Sequence, residues 1–149
     1  MLDKLNPPQR EAAKYLDGPL LVLAGAGSGK TRVITAKIAY LIQQCGMDAR
    51  NIAAITFTNK AAREMQERVE HLVEGKAARG LTVSTFHSLG MQILRQESTH
   101  LGYKPQFSVL DSADSFKIVS EIIKTTDKAE IRHIQSVISR WKNDFVTPD

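Results

Sequence analysis

The sequence has little cysteine and no long hydrophobic run. Its 149 residues include one cysteine, Cys45, which cannot form a disulfide within the chain. No apolar run approaches the roughly 18 residues that are needed to span a bilayer. The N-terminal stretch MLDKLNPPQREAAKYLDGP contains no apolar signal-peptide core, so nothing marks the chain for export. These absences favour a cytoplasmic protein that does not enter a membrane.

The composition is that of a globular protein with a basic bias. The sequence is 42% hydrophobic and 24% charged, which allows a buried core. Its net charge is +4, and residues 1–87 hold 12 Lys and Arg against 8 Asp and Glu. Residues 88–149 hold 8 of each, so the whole excess lies in the first part of the chain. Such a bias suits a polyanion, for example a nucleotide or a nucleic acid.

The order of the hydrophobic patterns predicts an α/β fold in the first part of the chain. Short continuous apolar runs predict buried strands at 18–24, 51–58 and 80–86. Periodic apolar residues predict a helix from Gly29 to near residue 46 and another over 59–74. Strands that alternate with helices within about 70 residues indicate an open parallel sheet covered by helices.

The pattern becomes mostly helical near residue 88. Helices are predicted over 88–102 and 129–145, and a third lies within the stretch 105–124, where it follows an N-terminal cap at Asp111 or Ser112. In the helix that follows this cap, Val119 and Ile122 are expected to face inward. We therefore divide the chain into an α/β part, residues 1–88, and a helical part, residues 89–149.

A glycine-rich stretch, VLAGAGSGKTR, follows the first predicted strand directly. A phosphate-binding P-loop has the pattern G-x-x-x-x-G-K-[ST] between a buried strand and a helix. Lys30 is expected to reach the β- and γ-phosphates, and the Thr31 hydroxyl to bind Mg²⁺. The stretch matches the pattern, except for alanine at its first position, over Ala24, Gly25, Ala26, Gly27, Ser28, Gly29, Lys30 and Thr31. It therefore predicts a nucleoside-triphosphate site.

Two alternative roles for these glycines fit less well. The dinucleotide fingerprint G-x-G-x-x-G fails in register, because a match from Gly25 needs glycine where Lys30 stands. A flexible glycine turn leaves the Gly-Lys-Thr at the start of a helix without a role.

The residues that hydrolysis needs besides the P-loop are not evident. Hydrolysis requires a strand that ends in an acidic residue to hold Mg²⁺, and a group that positions the attacking water. The only apolar run that ends in Asp is FSVLD, and a helix cap at Asp111 or Ser112 accounts for it better. Three arginines stay open as an arginine finger: Arg63, Arg68 and Arg79. A small P-loop phosphotransferase and a nucleotide-dependent binding module are the alternative functions.

Three further stretches accompany the P-loop: LNPPQ at 5–9, TFTNKAAREM at 56–65 and STFHSL at 84–89. Together with the loop, and at matching spacing, they resemble the superfamily 1 DNA helicases of the UvrD/PcrA type. The resemblance covers essentially the whole chain, and alanine at the first loop position is ordinary in that family. It implies an ATP-dependent helicase that uses Mg²⁺, moves 3′ to 5′ on single-stranded DNA and unwinds duplex junctions.

The resemblance also implies roles for individual residues. Gln9 would read the adenine edge, and Arg32 would pack against the base. From the residues alone, a solvated Gln9 and a plain surface Arg32 are the alternatives, and Phe57 is more readily a core residue. DNA contacts are implied for residues at the ends of the second and third strands and on the helix between them: Thr56, Phe57, Thr58, Asn59, Arg63, Thr85, Phe86 and His87.

The resemblance also assigns each of the two parts of the chain to a subdomain of the family. Residues 1–88 correspond to the N-terminal part of a RecA-like ATP-binding domain, 1A, and residues 89–149 to the beginning of a helical insertion, 1B. The family's acidic Walker B motif, arginine finger and second RecA-like domain have no counterpart in this sequence. We therefore expect the chain alone to bind nucleotide weakly without hydrolysing it, and to self-associate through surfaces that missing strands would cover.

Overall fold

A computed structural model of the chain describes residues 2–73, 76–104 and 106–148. The chain forms two compact units, residues 1–97 and residues 98–149. Its helices are α1 (Pro7–Lys14), α2 (Lys30–Gln43), α3 (Asn59–Leu72), α4 (Phe86–Glu97), α5 (Ser112–Ile123) and α6 (Lys128–Asn143), and its strands are β1 (Ala53–Thr56) and β2 (Thr82–Thr85). None of the described helices is both long and apolar enough to cross a membrane.

The two strands of the first unit are parallel neighbours. Ala53 lies in register with Thr82, and Thr56 with Thr85. Parallel strands need a crossover connection, and α3 lies between β1 and β2 in the chain and packs on both. The predicted strands at 51–58 and 80–86 and the helix between them are therefore confirmed, as is the mixed α/β class.

The core of the first unit lies between this strand pair and the helices α2 and α3. Val69, at the centre of the buried face of α3, has no exposed surface. The buried core residues are Ile38, Ala39, Ile42, Ala49, Ile52, Ala54, Met65, Val69, Val73, Ala78 and Leu81. A smaller cluster of Leu5, Ala13 and Ala36 packs α1 against α2. This second cluster brings the LNPPQ stretch next to the helix that follows the glycine loop.

The predicted buried strand at 18–24 is wrong. This segment has no strand structure, and the sheet of the described residues consists of β1 and β2 alone. The side chains of Leu21 and Leu23 are 84% and 87% exposed. A segment becomes a strand only when a neighbour supplies partners for its N–H and C=O groups. The apolar run provides the right side chains, but no described strand lies beside it.

The second unit contains a pair of packed helices. α5 packs on α6, with Val119 and Ile131 buried, and the Gln135 amide donates to the Ser115 hydroxyl at 3.0 Å. Asp111 caps α5, because its carboxylate accepts from the N–H groups of residues 113 and 114. The predicted inward orientation of Ile122 is wrong, since its side chain is largely exposed.

The predicted helix over 88–102 consists of α4, which already begins at Phe86, and a 3-10 turn over Ser98–Leu101. The chain passes from the first compact unit to the second between residues 97 and 98, inside this predicted segment. Glu74, Pro105 and Asp149, which fall within predicted segments, lie outside the described residues.

Candidate functional site

The glycine loop leads directly into the N-terminus of α2. Gly27 and Gly29 have φ angles of +74° and +84°, a left-handed conformation that residues other than glycine rarely adopt. Gly29 is the N-cap of α2, and no side chain caps the helix. The first N–H groups of a helix have no acceptor within it, so those of α2 are available to a ligand. A Cβ atom at Gly25 or Gly27 would meet no heavy atom within 4 Å, so the loop borders open space.

The side chain of Lys30 folds back over this loop and bonds to its backbone. Its Nζ donates to the carbonyl oxygens of Ala24, at 3.1 Å, and Gly25, at 2.6 Å. The Ser28 hydroxyl donates to the same Gly25 oxygen at 2.7 Å. The ammonium group therefore lies over the loop, bound to carbonyls that a bound anion can replace as its partners. Thr31, on the first turn of α2, is exposed.

Gln9 connects α1 to the glycine loop. Its side-chain Nε2 donates to the carbonyl oxygen of Ser28 at 2.9 Å, and its Oε1 accepts from the backbone N–H of Asn6 at 3.1 Å. The side chain is half-buried, so the structure does not place it free in solvent. Arg32, which the resemblance also assigns to the base, is exposed on the first turn of α2.

A pocket of about 380 Å³ lies beside the loop. Its lining joins Pro8, Gln9 and Ala12 of α1 to Ser28 and Lys30. Small-molecule sites have volumes of roughly 300–1,000 Å³, so this pocket has the size of a ligand site. With backbone N–H donors and an ammonium group at the loop, the donor set fits a phosphate group. The exposed Thr31 hydroxyl, next to that lysine, supplies the type of oxygen ligand that Mg²⁺ prefers.

A second group of predicted site residues lies at the carboxyl edge of the sheet. Because Thr56 and Thr85 are in register, the chain leaves both strands at the same edge. Phe57 and Phe86, which follow these threonines, are 96% and 74% exposed. Phe57 is therefore not a core residue. His87 is also exposed.

The threonine hydroxyls at this edge hold the starts of two helices. Thr58 caps α3, since its Oγ1 accepts from the N–H of Ala61 at 3.1 Å. The Thr56 hydroxyl donates to the Thr58 carbonyl at 3.0 Å. Thr85 is only 7% exposed, and its Oγ1 donates to the Ser88 hydroxyl at 3.0 Å and accepts from the Ser88 N–H. Thr58 and Thr85 thus stabilise the starts of α3 and α4, next to the exposed residues of this edge.

Asn59 and Arg63, on the first turns of α3, line an open pocket of about 520 Å³. Ser84 of β2 and Ser88 of α4 line the same pocket. Glu67 also contributes to the lining, so the surface carries both charges. The hydroxyl, amide and guanidinium groups here are the donors that proteins use toward phosphate oxygens.

Sequence reasoning missed the part that Asn6 plays. Its side-chain Oδ1 accepts from the N–H of Gln9 at 3.0 Å, and the Gln9 side chain accepts from the Asn6 N–H in return. This is a capping box, in which residues at the N-cap and N3 positions satisfy each other's backbone. The spacing N-x-x-Q within LNPPQ was the available signal.

The chain matches the UvrD/REP helicase N-terminal domain over residues 5–149. It is 53% identical over 148 residues to ATP-dependent DNA helicase Rep of Escherichia coli (strain K12), an alignment that covers 97% of this chain and 22% of that protein. It is 48% identical over 153 residues to ATP-dependent DNA helicase PcrA of Bacillus subtilis (strain 168), covering 100% of this chain and 21% of the relative.

A PcrA helicase of Staphylococcus aureus (strain NCTC 8325 / PS 47) is 44% identical over 152 residues, covering 99% of this chain and 21% of the relative. The chain thus spans about a fifth of the length of these relatives. The family match covers the LNPPQ stretch, the glycine loop and both strand ends, so the resemblance seen in the sequence is confirmed. The chain belongs to the UvrD/REP helicase N-terminal domain family.

Proposed function

We propose that this chain is the ATP-binding portion, and part of the DNA-binding surface, of a helicase that translocates 3′ to 5′ on single-stranded DNA. In the whole protein, ATP hydrolysis is coupled to this movement and to unwinding at duplex junctions. The observation that carries the proposal is the glycine loop, whose lysine lies over an uncapped helix N-terminus in a chain of this family.

The triphosphate binds at the loop. The N–H groups at the start of α2 and the backbone around Gly27 donate to the phosphate oxygens. Lys30 exchanges its bonds with the Ala24 and Gly25 carbonyls for bonds to the β- and γ-phosphates. The Thr31 hydroxyl would hold Mg²⁺, which would neutralise phosphate charge.

The base lies toward α1. The Gln9 amide donates to and accepts from the adenine edge, and its bond to the Ser28 carbonyl holds it beside the loop. Arg32 packs its guanidinium group against the base, which a side chain exposed on the first turn of α2 is free to do.

Single-stranded DNA runs along the carboxyl edge of the sheet. Phe57 and Phe86 supply exposed rings on which bases stack. Asn59, Arg63 and His87 contact the phosphate backbone. Ligands of open α/β sheets bind at this edge, and the capping threonines hold the loops that carry these residues.

Residues 1–88 belong to the RecA-like subdomain 1A and residues 89–149 to the start of subdomain 1B in this proposal. Residues 1–149 on their own bind nucleotide weakly and do not hydrolyse it. The use of Asp111 as a helix cap supports this, since the two described hydrogen bonds that its carboxylate accepts come from N–H groups at the start of α5. This favours a structural role for Asp111 at the start of α5.

The decisive experiment measures binding of a fluorescent ATP analogue and ATP hydrolysis, with and without a single-stranded oligonucleotide. Lys30→Ala should weaken nucleotide binding at least about tenfold, because a charge-assisted hydrogen bond contributes roughly 1.5–3 kcal/mol. Lys14→Ala, at an exposed lysine in the last turn of α1, is the matched control and should bind as the parent chain does.

Hydrolysis by the parent chain should not exceed that of Lys30→Ala. Oligonucleotide-stimulated turnover that Lys30→Ala abolishes would contradict the proposed inactivity, and Asp111→Asn would then be the first variant to test. Phosphoryl transfer to a small acceptor, without DNA binding, would favour the phosphotransferase.

We also propose that residues 1–149 self-associate. The exposed side chains of Leu21 and Leu23, and the two edges of a two-stranded sheet, are surfaces that proteins normally cover. Sedimentation velocity at rising concentration should show a dimer that Leu23→Lys weakens. A monomer at high concentration would contradict this proposal.

A further inference from the structure

The side-chain amide of Gln9 is held at both ends by backbone groups. Its Oε1 accepts from the N–H of Asn6 at 3.1 Å, and its Nε2 donates to the carbonyl of Ser28 at 2.9 Å. A backbone N–H can only donate and a carbonyl can only accept. The two anchors therefore fix which end of the amide carries oxygen and which carries nitrogen.

The anchored amide retains one free group of each kind. An amide nitrogen has two donors and an amide oxygen has two lone pairs, and the anchors occupy one of each. Adenine offers a matching edge, with a donor at its 6-amino group and an acceptor at N7. Guanine offers two acceptors, O6 and N7, on the same edge.

We propose that Asn6 is a positioning residue that sets the preference of this site for adenine over guanine nucleotides. The inference rests on the proposed role of Gln9 at the base. The Asn6 side chain accepts from the Gln9 N–H at 3.0 Å and so fixes the first turn of α1. This turn brings the Gln9 side chain within hydrogen-bonding distance of the Asn6 N–H. Asn6, which also lines the pocket beside the loop, thus acts through the Gln9 amide that it holds in position.

Discrimination against guanine depends on the rigid placement of the Gln9 amide. A mobile amide could swing away from a guanine base and leave O6 to water, so it would impose little penalty. A fixed amide keeps an oxygen lone pair opposite the O6 acceptor, and this repulsion excludes the wrong base. Gly29 leaves room for the Gln9 amide, because a Cβ atom at this position would lie 3.0 Å from the Gln9 Nε2.

The test compares the affinities of fluorescent ATP and GTP analogues for the 149-residue chain by titration. Asn6→Ala should lower the ATP-to-GTP affinity ratio by about three- to tenfold, the effect of one lost hydrogen bond. Asn6→Gly should do the same with less damage to the helix, because glycine is tolerated at an N-cap. Asn6→Ser should restore the ratio, because serine supplies an equivalent acceptor.

Asp111→Ala is the matched control. Asp111 forms the corresponding capping box with Asp114 at the start of α5, in the other unit, so its loss should leave the ratio unchanged. Thermal melts of all variants report how much folded protein each sample contains.

An unchanged ratio in both Asn6→Ala and Asn6→Gly would overturn the inference, as would equal weakening of both nucleotides. A shift in Asp111→Ala equal to that in Asn6→Ala would also overturn it. Failure of the proposed function is distinct: the parent chain would bind neither nucleotide, or Gln9→Ala would leave the ratio unchanged.

Discussion

Thr56 and Thr85 lie opposite each other at the last paired position of two parallel strands. Each is followed by a phenylalanine whose ring is mostly exposed, Phe57 after β1 and Phe86 after β2. Two segments separated by almost thirty residues of sequence therefore present aromatic side chains at one edge of the sheet. Exposed aromatic rings at an edge where ligands bind favour a surface on which bases stack.

Phe57→Ala should weaken binding of single-stranded DNA without weakening the fold. Stacking of one base on an aromatic ring is worth about 1–3 kcal/mol, so affinity should fall roughly fivefold to more than a hundredfold. Fluorescence anisotropy of a labelled oligothymidine measures the affinity. The melting temperature should change little, since the ring is 96% exposed.

The matched control is Phe145→Ala, which removes an equally exposed ring from the second unit. It should bind the oligonucleotide as the parent chain does. Equal losses in the two variants would mean that exposed aromatic area in general, and not this edge, drives binding.

Arg63→Ala should reduce the salt dependence of DNA binding. Each phosphate that a cationic side chain neutralises contributes a slope of about −0.7 to the plot of log affinity against log salt for single strands. The slope should become shallower by about that amount when affinity is measured from low to moderate salt. Arg68→Ala is the control, because Arg68 lies on the same helix and pairs with Glu64 at 3.7 Å. A slope that changes equally in both variants would contradict a phosphate contact at Arg63.

Val69→Ala should destabilise the first unit. The side chain is completely buried between α3 and the strands, and its truncation removes two methyl groups and leaves a cavity. The expected loss is about 2 kcal/mol in the free energy of unfolding, measured by urea denaturation. Val146→Ala, at a half-exposed valine, should change stability by less than about 0.5 kcal/mol. Similar losses in both variants would argue against a core centred on Val69.

The sequence patterns agree with the structure for those elements whose partners lie among the described residues. β1, α3 and β2 pack on one another, so their hydrophobic patterns and their structure agree. The run at 18–24 has an equally apolar pattern, but a strand exists only through pairing, and no described strand lies beside it. Ile122 shows the same limit in the helical part, because periodicity identifies an apolar face but does not supply the surface that covers it.

The sequence identified individual candidate residues but not the contacts between them. Lys30 was predicted from the P-loop pattern and Phe57 from the family resemblance, and the structure places the first over the glycine loop and the second at the sheet edge. The bond from Gln9 to Ser28 joins residues nineteen positions apart. No local pattern encodes such a contact, because it depends on the packing of α1 against α2.

Gly29→Ala should weaken nucleotide binding and stability together. Gly29 has a φ angle of +84°, and an L-residue in that conformation costs roughly 1–2 kcal/mol. The new Cβ atom would also lie 3.0 Å from the Gln9 Nε2, so the amide has to shift by a few tenths of an ångström, which weakens its bond to Ser28. Affinity for the fluorescent ATP analogue should fall on the order of tenfold, and the melting temperature should decrease.

Gly90→Ala separates this effect from a general cost of replacing glycine. Gly90 lies inside α4, and a Cβ atom there would meet no heavy atom within 4 Å. Alanine is the better helix former by about 1 kcal/mol, so this variant should be more stable than the parent chain, with the same ATP affinity. If Gly29→Ala also kept its ATP affinity, the loop would tolerate a side chain at the helix start. The contact between Gln9 and the loop would then have no part in holding the nucleotide.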